Sequence, residues 1–183
     1  MFDKISIANI IKDHINTLKN NITRKISYLD ITLFFLLPLT ISGFIVHVGM
    51  SLNDALVNAL ITSLSIFSAL LFNLLLLVYD ISDKKSGLPE ATDPVENKRR
   101  IKTRELLREI YINISFSILV SIITVATLLI YFLKTSNCTL FLINTCSFQW
   151  LLALVIYYLT IQFALNLFMI LKRIYILLAK SFQ

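Results

Sequence analysis

The side chains able to carry chemistry are few, and their spacing limits what they can do. Two histidines, His14 and His47, lie on opposite sides of the first long apolar run, and His47 has no acid beside it. An isolated histidine can serve as a proton-responsive switch; its plainer role is an interfacial or packed ring. The two cysteines of the chain, Cys138 and Cys146, share one connecting segment, "KTSNCTLFLINTCSFQ". Two thiols without a neighbouring histidine or carboxylate are too few for a metal site. In an oxidising compartment they form a disulfide, and otherwise they are two small unpaired hydrophobes. There is no glycine-rich phosphate loop, no Cys/His metal spacing and no nucleophile elbow. The sequence is therefore read as non-enzymatic and without a cofactor.

A second set of polar residues lies inside apolar runs. In "ITSLSIFSALLFNLLLLVYD", preceded by Asn58, the residues Asn58, Thr62, Ser65, Ala69 and Asn73 are spaced as one face of a helix. A later run repeats the pattern with Asn113, Ser117, Ser121 and Thr124, and a last one carries Gln162 and Asn166. Small residues let helices approach closely in lipid, and polar ones hydrogen-bond across the contact. These stripes are thus expected to hold helices together. An oligomer that turned some of them inward would line a polar path, although no stripe carries the charge that usually marks an ion pathway.

The elements that hold these residues are helices dissolved in lipid. The chain has 183 residues, of which 57% are hydrophobic and 15% charged, with a mean hydropathy of +0.78. Soluble domains have about 45–50% apolar and about 25% charged residues. Four runs, 31–50, 55–79, 111–133 and 150–171, contain no Lys, Arg, Asp or Glu, and each has the roughly 20 residues a helix needs to cross a bilayer. Lipid leaves no partner for an open strand, so helices are expected. Sixteen of the 17 basic residues lie before the first run, between the second and third, or after the fourth; Lys134 is the exception. The positive-inside rule then puts both termini and the 80–110 loop in the cytoplasm of a bacterial cell. The first run follows thirty mostly polar residues and has no small-residue cleavage site, so it reads as a retained span rather than a signal peptide.

The expected fold is all-α, a four-span membrane protein. Residues 1–30 form a cytosolic segment, 31–79 a hairpin, 80–110 a basic cytosolic loop and helix, 111–171 a second pair joined by the external loop 134–149, and 172–183 a tail. Ser51 and Asp54 fit the start of the second span. Pro38, with Gly43 nearby, predicts a kink in the first span, either a packing feature or a hinge. Ile7, Ile10, Ile11, Ile15, Leu18 and Ile22 make an amphipathic stripe suited to the membrane surface or to a partner. "SDKKSGLPEAT" reads as irregular. "DPVENKRRIKTRELLREI" reads as an inward helical extension of span three, with Asp93 as cap, Pro94 at its first position and Glu96 as capping partner. Its Lys98, Arg99, Arg100, Lys102, Arg104 and Arg108 are topology determinants that hold lipid headgroups. A cytosolic protein partner is the second use, and nucleic acid, without interleaved aromatics, the last.

With "LPLTISGFIVHVG", "LITSLSIFSALLFNLLLLVYDI" and the basic loop that follows, the layout resembles the small four-span membrane proteins of bacterial defence operons, such as the membrane subunit of the Kiwa system. That resemblance implies an oligomeric inner-membrane component of an antiphage system that works with a separate cytosolic protein. The layout is also similar to immunity proteins against pore-forming bacteriocins. Those carry charged external loops, whereas Asp54 and Lys134 are the external charges here. A self-sufficient, holin-like pore is the alternative from a different class.

Overall fold

Every element follows from where the backbone can satisfy itself. A computed structural model describes residues 7–17, 32–50, 52–86, 94–136 and 145–181, and among them there are helices and no strand. Helix α1 is Ile7–Thr17. A π-helical turn, Thr32–Leu36, runs into α2, Leu37–His47. The remaining helices are α3, Asp54–Ser86, α4, Pro94–Ser136, and α5, Thr145–Ser181. Helices α3, α4 and α5 each contain a stretch long and apolar enough to cross a membrane. The first apolar run is shorter as structure. Its π turn and α2 have 5 and 11 residues, about 24 Å of helix against about 30 Å of hydrocarbon.

Local chemistry sets the ends. Pro38 lies at the start of α2, directly after the π turn. The wider turn falls where the proline ring would otherwise meet the carbonyl four residues back, so the expected kink takes the form of a π segment. At the other end, Gly49 adopts φ +79°. The Met50 N–H donates to Ile45 O and the Gly49 N–H to Val46 O, the paired bonds of a Schellman cap, which needs a residue without Cβ at its turning point. Helix α3 is capped by Asn53, whose Oδ1 accepts from the Leu56 N–H at 2.8 Å. The expected capping by Ser51 and Asp54 is thereby corrected for Asp54, which stands inside the first turn; Ser51 lies outside the described residues. Pro94 opens α4 as expected. Glu96 accepts from Arg100 at 2.6 Å, and its expected bond to the cap involves Asp93, which lies outside the described residues.

The helices run further than the apolar runs. No breaker precedes Gly87, so "SDKKS" stays helical at the end of α3, which corrects the irregular reading there; the rest of that stretch lies outside the described residues. Helix α4, at 43 residues, spans about 65 Å and joins span three to its basic extension without a break. The connection between α4 and α5, expected to be external and to run over 134–149, is shorter, because α4 continues to Ser136 and α5 starts at Thr145. Cys146 stands in the first turn of α5, and the expected bridge to Cys138 lies outside the described residues. His47 is exposed at the end of α2.

Packing centres on α4, which touches α1, α3 and α5, while α2 lies against α5. Leu107, Ile110, Ile114, Ser117, Ser121, Thr124 and Leu128 are all at most 1% exposed and alternate three and four apart, a heptad seam. Its partners repeat every seven residues: Val57, Leu64, Leu71 and Val78 on α3, and Ile156, Phe163 and Ile170 on α5. A seven-residue repeat keeps neighbouring helices in contact along their length at a shallow crossing angle. Between α3 and α4 the Ser68 and Ser121 hydroxyls share a hydrogen bond.

Replacing Ser121 by Leu should overfill this seam and lower bundle stability by about 1–3 kcal/mol. Ser121→Ala, which removes the Ser68 bond and the local bond to Ile118 O without adding volume, should cost less, about 0.6 kcal/mol for the interhelical bond. Reversible unfolding in mixed micelles measures both, and equal costs would show that volume at this contact is not limiting.

Candidate functional site

The polar stripes divide into two fates. Asn113, Ser117, Ser121 and Thr124 on α4 and Gln162 and Asn166 on α5 are buried inside the bundle. Asn58, Thr62, Ser65, Ala69 and Asn73 on α3 are exposed, so the expectation that all stripes lie between helices of one chain is corrected for this one. Helix α3 seats its Val and Leu seam on α4, and this turns the polar stripe roughly 150° away around the helix. Thr62 and Ser65 donate to the carbonyls of Asn58 and Ile61, which lowers the cost of facing lipid. Of the basic residues, Lys98, Arg99, Lys102, Arg104 and Arg108 are exposed along the α4 extension and Arg100 is half-buried.

The tightest polar constellation was not visible in the sequence. His14 of α1 is fully buried against the middle of α4, its ring stacked on Phe116 with centroids 3.8 Å apart and planes 5° from parallel. The Asn113 amide is fixed on both sides. Its Nδ2 donates to Glu109 O at 2.8 Å, so its Oδ1 is the atom 2.9 Å from His14 Nδ1. That oxygen can only accept, so the proton of neutral His14 sits on Nδ1. The Thr17 hydroxyl lies 2.7 Å from His14 O and 3.1 Å from the same Asn113 oxygen. From α5, Arg173 Nη2 donates to Thr17 O at 3.0 Å, placing a cation on the C-terminal carbonyls of α1. Arg173 Nη1 stands 3.5 Å from Glu109 Oε2, close enough for an ion pair though not aligned as a hydrogen bond. Three helices are thus tied at one level by one histidine, one asparagine and one ion pair.

Two features of this region can respond to conditions. His14 is held at about 4, below the usual 6.5: burial lowers it most, the Asn113 bond opposes, and the Arg173 charge lowers it further. Further along α5, both polar atoms of Gln162 and of Asn166 are buried without a hydrogen-bond partner. Unpaired buried amides cost about 1–3 kcal/mol per group. Counted from the Glu109–Arg173 pair along two antiparallel helices of equal rise, Asn166 falls at about the level of Ser117 and Gln162 at about the level of Ser121. The sequence signal for the junction was slight: an acid and a base at matching inner ends of two spans, and His14 and Thr17 one turn apart beside the Ile7, Ile11 and Ile15 face. Those three isoleucines are exposed, and Ile10 packs inward; Leu18 and Ile22 lie outside the described residues. No group of three or more metal-ligating side chains occurs among the described residues. No protein-family model, curated protein or solved structure matches this chain.

The depressed value of His14 means that the docked junction binds fewer protons than a released α1. Docking should therefore be complete above pH 6.5 and weaken as pH falls toward 4, by about 3 kcal/mol in all. Spin labels at Ala8 and Tyr175, both exposed, should report separation across this window. His14→Gln should remove that response; an unchanged profile in the variant would refute it.

Proposed function

We propose that this chain is a non-enzymatic, multi-pass component of a bacterial inner membrane that assembles with further copies of itself and couples the membrane to a cytosolic protein. In this reading residues 31–50 form a fourth span, both termini are cytoplasmic, and the assembly serves antiphage defence, as the resemblance to defence-operon membrane proteins implies. The observation that carries it is the junction of His14, Asn113, Glu109 and Arg173. It makes α1 a lever on two spans, so a shift between α4 and α5 moves the N-terminal segment, and a partner on that segment feels the shift.

Self-association is supported by α3. Among the described helices it packs chiefly against α4, with Phe67 reaching Phe163 of α5, and its exposed face presents the carboxamides of Asn58 and Asn73 with Thr62, Ser65 and Ala69 between them. A face of this composition is better covered by the same face of another copy than by acyl chains, because the amides then find partners and the small residues permit close approach. A second reading, a self-sufficient pore, is favoured by one feature: the column of buried polar groups from Asn113 to Thr124 on α4 with unpaired Gln162 and Asn166 opposite. Such a column needs only water to become a conductive path.

Native mass measurement of the purified protein should give a multiple of the 21.0 kDa chain. Ser65→Leu with Ala69→Leu should weaken that assembly by about 1–3 kcal/mol, and Asn73→Ala by about 0.6 kcal/mol. Liposomes carrying the wild type should show no ion flux above empty ones. Flux that Asn166→Leu abolishes while the mass stays unchanged would instead establish the pore.

A further inference from the structure

On the flank of α4 away from the junction, the inner ends of α3 and α4 enclose an open groove of about 540 Å³. Its floor is apolar and fixed, formed by the buried Val78 and Leu107. Its rim is polar and amphipathic: Tyr79 and Ser82 from α3, and Arg104, Glu105, Arg108 and Tyr111 from α4. We propose that this groove binds one anionic glycerophospholipid, its phosphodiester held by Arg104 and Arg108. The inference rests on the membrane placement proposed above and adds to it a site of defined chemistry.

Depth supports the assignment. Tyr79 and Tyr111 close the charge-free stretches of α3 and α4, and both are exposed, at 61% and 45%. Tyrosines in that position mark the boundary between hydrocarbon and headgroups. Arg108 and Arg104 lie three and seven residues inward on the same helix face, about 4.5 and about 10 Å along the axis, which brackets the headgroup layer. Two guanidiniums one turn apart can grip one phosphodiester from two sides, each offering paired N–H donors. Glu105 and Ser82 stand at the same rim and select what hangs from the phosphate. A carboxylate there repels a second phosphate but accepts hydrogen bonds from hydroxyls, so a glycerol headgroup fits and an extra anionic group does not. Among the residues that line the groove two guanidiniums outnumber one carboxylate, which favours an anionic headgroup.

The acyl chains also have a track. Toward the membrane centre, Phe72 and Leu76 on α3 continue the face of Tyr79 and are about half exposed, and Ile122 on α4 continues the face of Tyr111 with 59% exposure. A lipid seated by its phosphate would lay its chains over these residues. Only two of the six basic residues of the extension line the groove, which separates a seated lipid from a diffuse attraction. Lys98 and Lys102 stand further from the boundary, and Arg100 pairs with Glu96.

The test is native mass spectrometry of the full-length chain. It is released from nanodiscs with equal parts phosphatidylglycerol, phosphatidylethanolamine and phosphatidylcholine, with carbonate extraction of the parent membranes alongside. One phosphatidylglycerol per chain should be retained, enriched on the order of tenfold or more over the other two lipids. Arg104→Gln with Arg108→Gln should abolish the enrichment, and Lys98→Gln with Lys102→Gln should leave it intact. Equal loss from both pairs would overturn the site in favour of diffuse charge, and equal retention of the three lipids would overturn the headgroup chemistry. In both cases carbonate-resistant protein would leave the membrane reading standing. Protein extracted by carbonate would overturn that reading and the lipid site together.

Discussion

Everything in this fold depends on helix α4 being covered. Its Asn113, Ser117, Ser121 and Thr124 would each face hydrocarbon if α4 stood alone, and lipid offers no hydrogen-bonding partner. Serine and threonine can turn to their own backbone, as Ser117 and Thr124 do. Asparagine keeps surplus capacity that only another element can satisfy. Helices α3 and α5 therefore flank α4, and α1 packs across its middle at Asn113 and Phe116. A seam of alternating large and small residues allows this, since Ser117, Ser121 and Thr124 admit close approach where Ile114 and Leu128 supply bulk. The driving force is packing and polar satisfaction rather than burial of oil, because lipid solvates leucine as well as a core does.

The same logic explains why the molecule is reversed in polarity. Large apolar side chains such as Phe44, Ile66, Leu70, Phe72 and Phe168 lie on the outside, while histidine, asparagine, glutamine and serine lie within. In water that would be a misfolded protein; in lipid it is the ordinary solution. Its cost is visible at Gln162 and Asn166, whose amides remain without partners. Placed in the seam between α4 and α5, they make this contact the least satisfied part of the bundle. Beside it stands the junction that fixes α1. A helix pair with an unsatisfied seam and a lever at its end is suited to two arrangements.

How much of this could be read from the chain follows from what the solvent distinguishes. Span positions were legible because charge is expensive in hydrocarbon: the runs 55–79, 111–133 and 150–171 fall inside α3, α4 and α5. The helical extension of α4 was legible from Pro94 and the absence of breakers after it. The inward face of α3 was not. Val57, Leu64, Leu71 and Val78 repeat every seven residues, yet leucines surround them on every side, so no contrast in polarity marks the buried seam. The stripe from Asn58 to Asn73 was the visible feature, and it faces out. The His14 junction was hidden for a different reason. Its partners lie 99 residues apart, and what joins them is a common depth, which a sequence expresses only through the distance of each residue from the end of its span.

Depth also joins the two sites on α4. Residues 104–113 carry, on one flank, Arg104 and Arg108 facing the groove with α3 and, on the other, Glu109 and Asn113 facing α1 and α5. Arg108 and Glu109 are adjacent, so any rotation of α4 that draws Arg108 toward a phosphate also carries Glu109 and shifts the position of Arg173. The buried Leu107 and Ile110 between them form the pivot, because a close-packed core passes displacement on rather than absorbing it. With a lipid phosphate in the proposed groove, its charge and proton binding at His14 would act on one helical segment from opposite sides. Each biases the same helix without touching the other, which is the physical meaning of coupling between two sites.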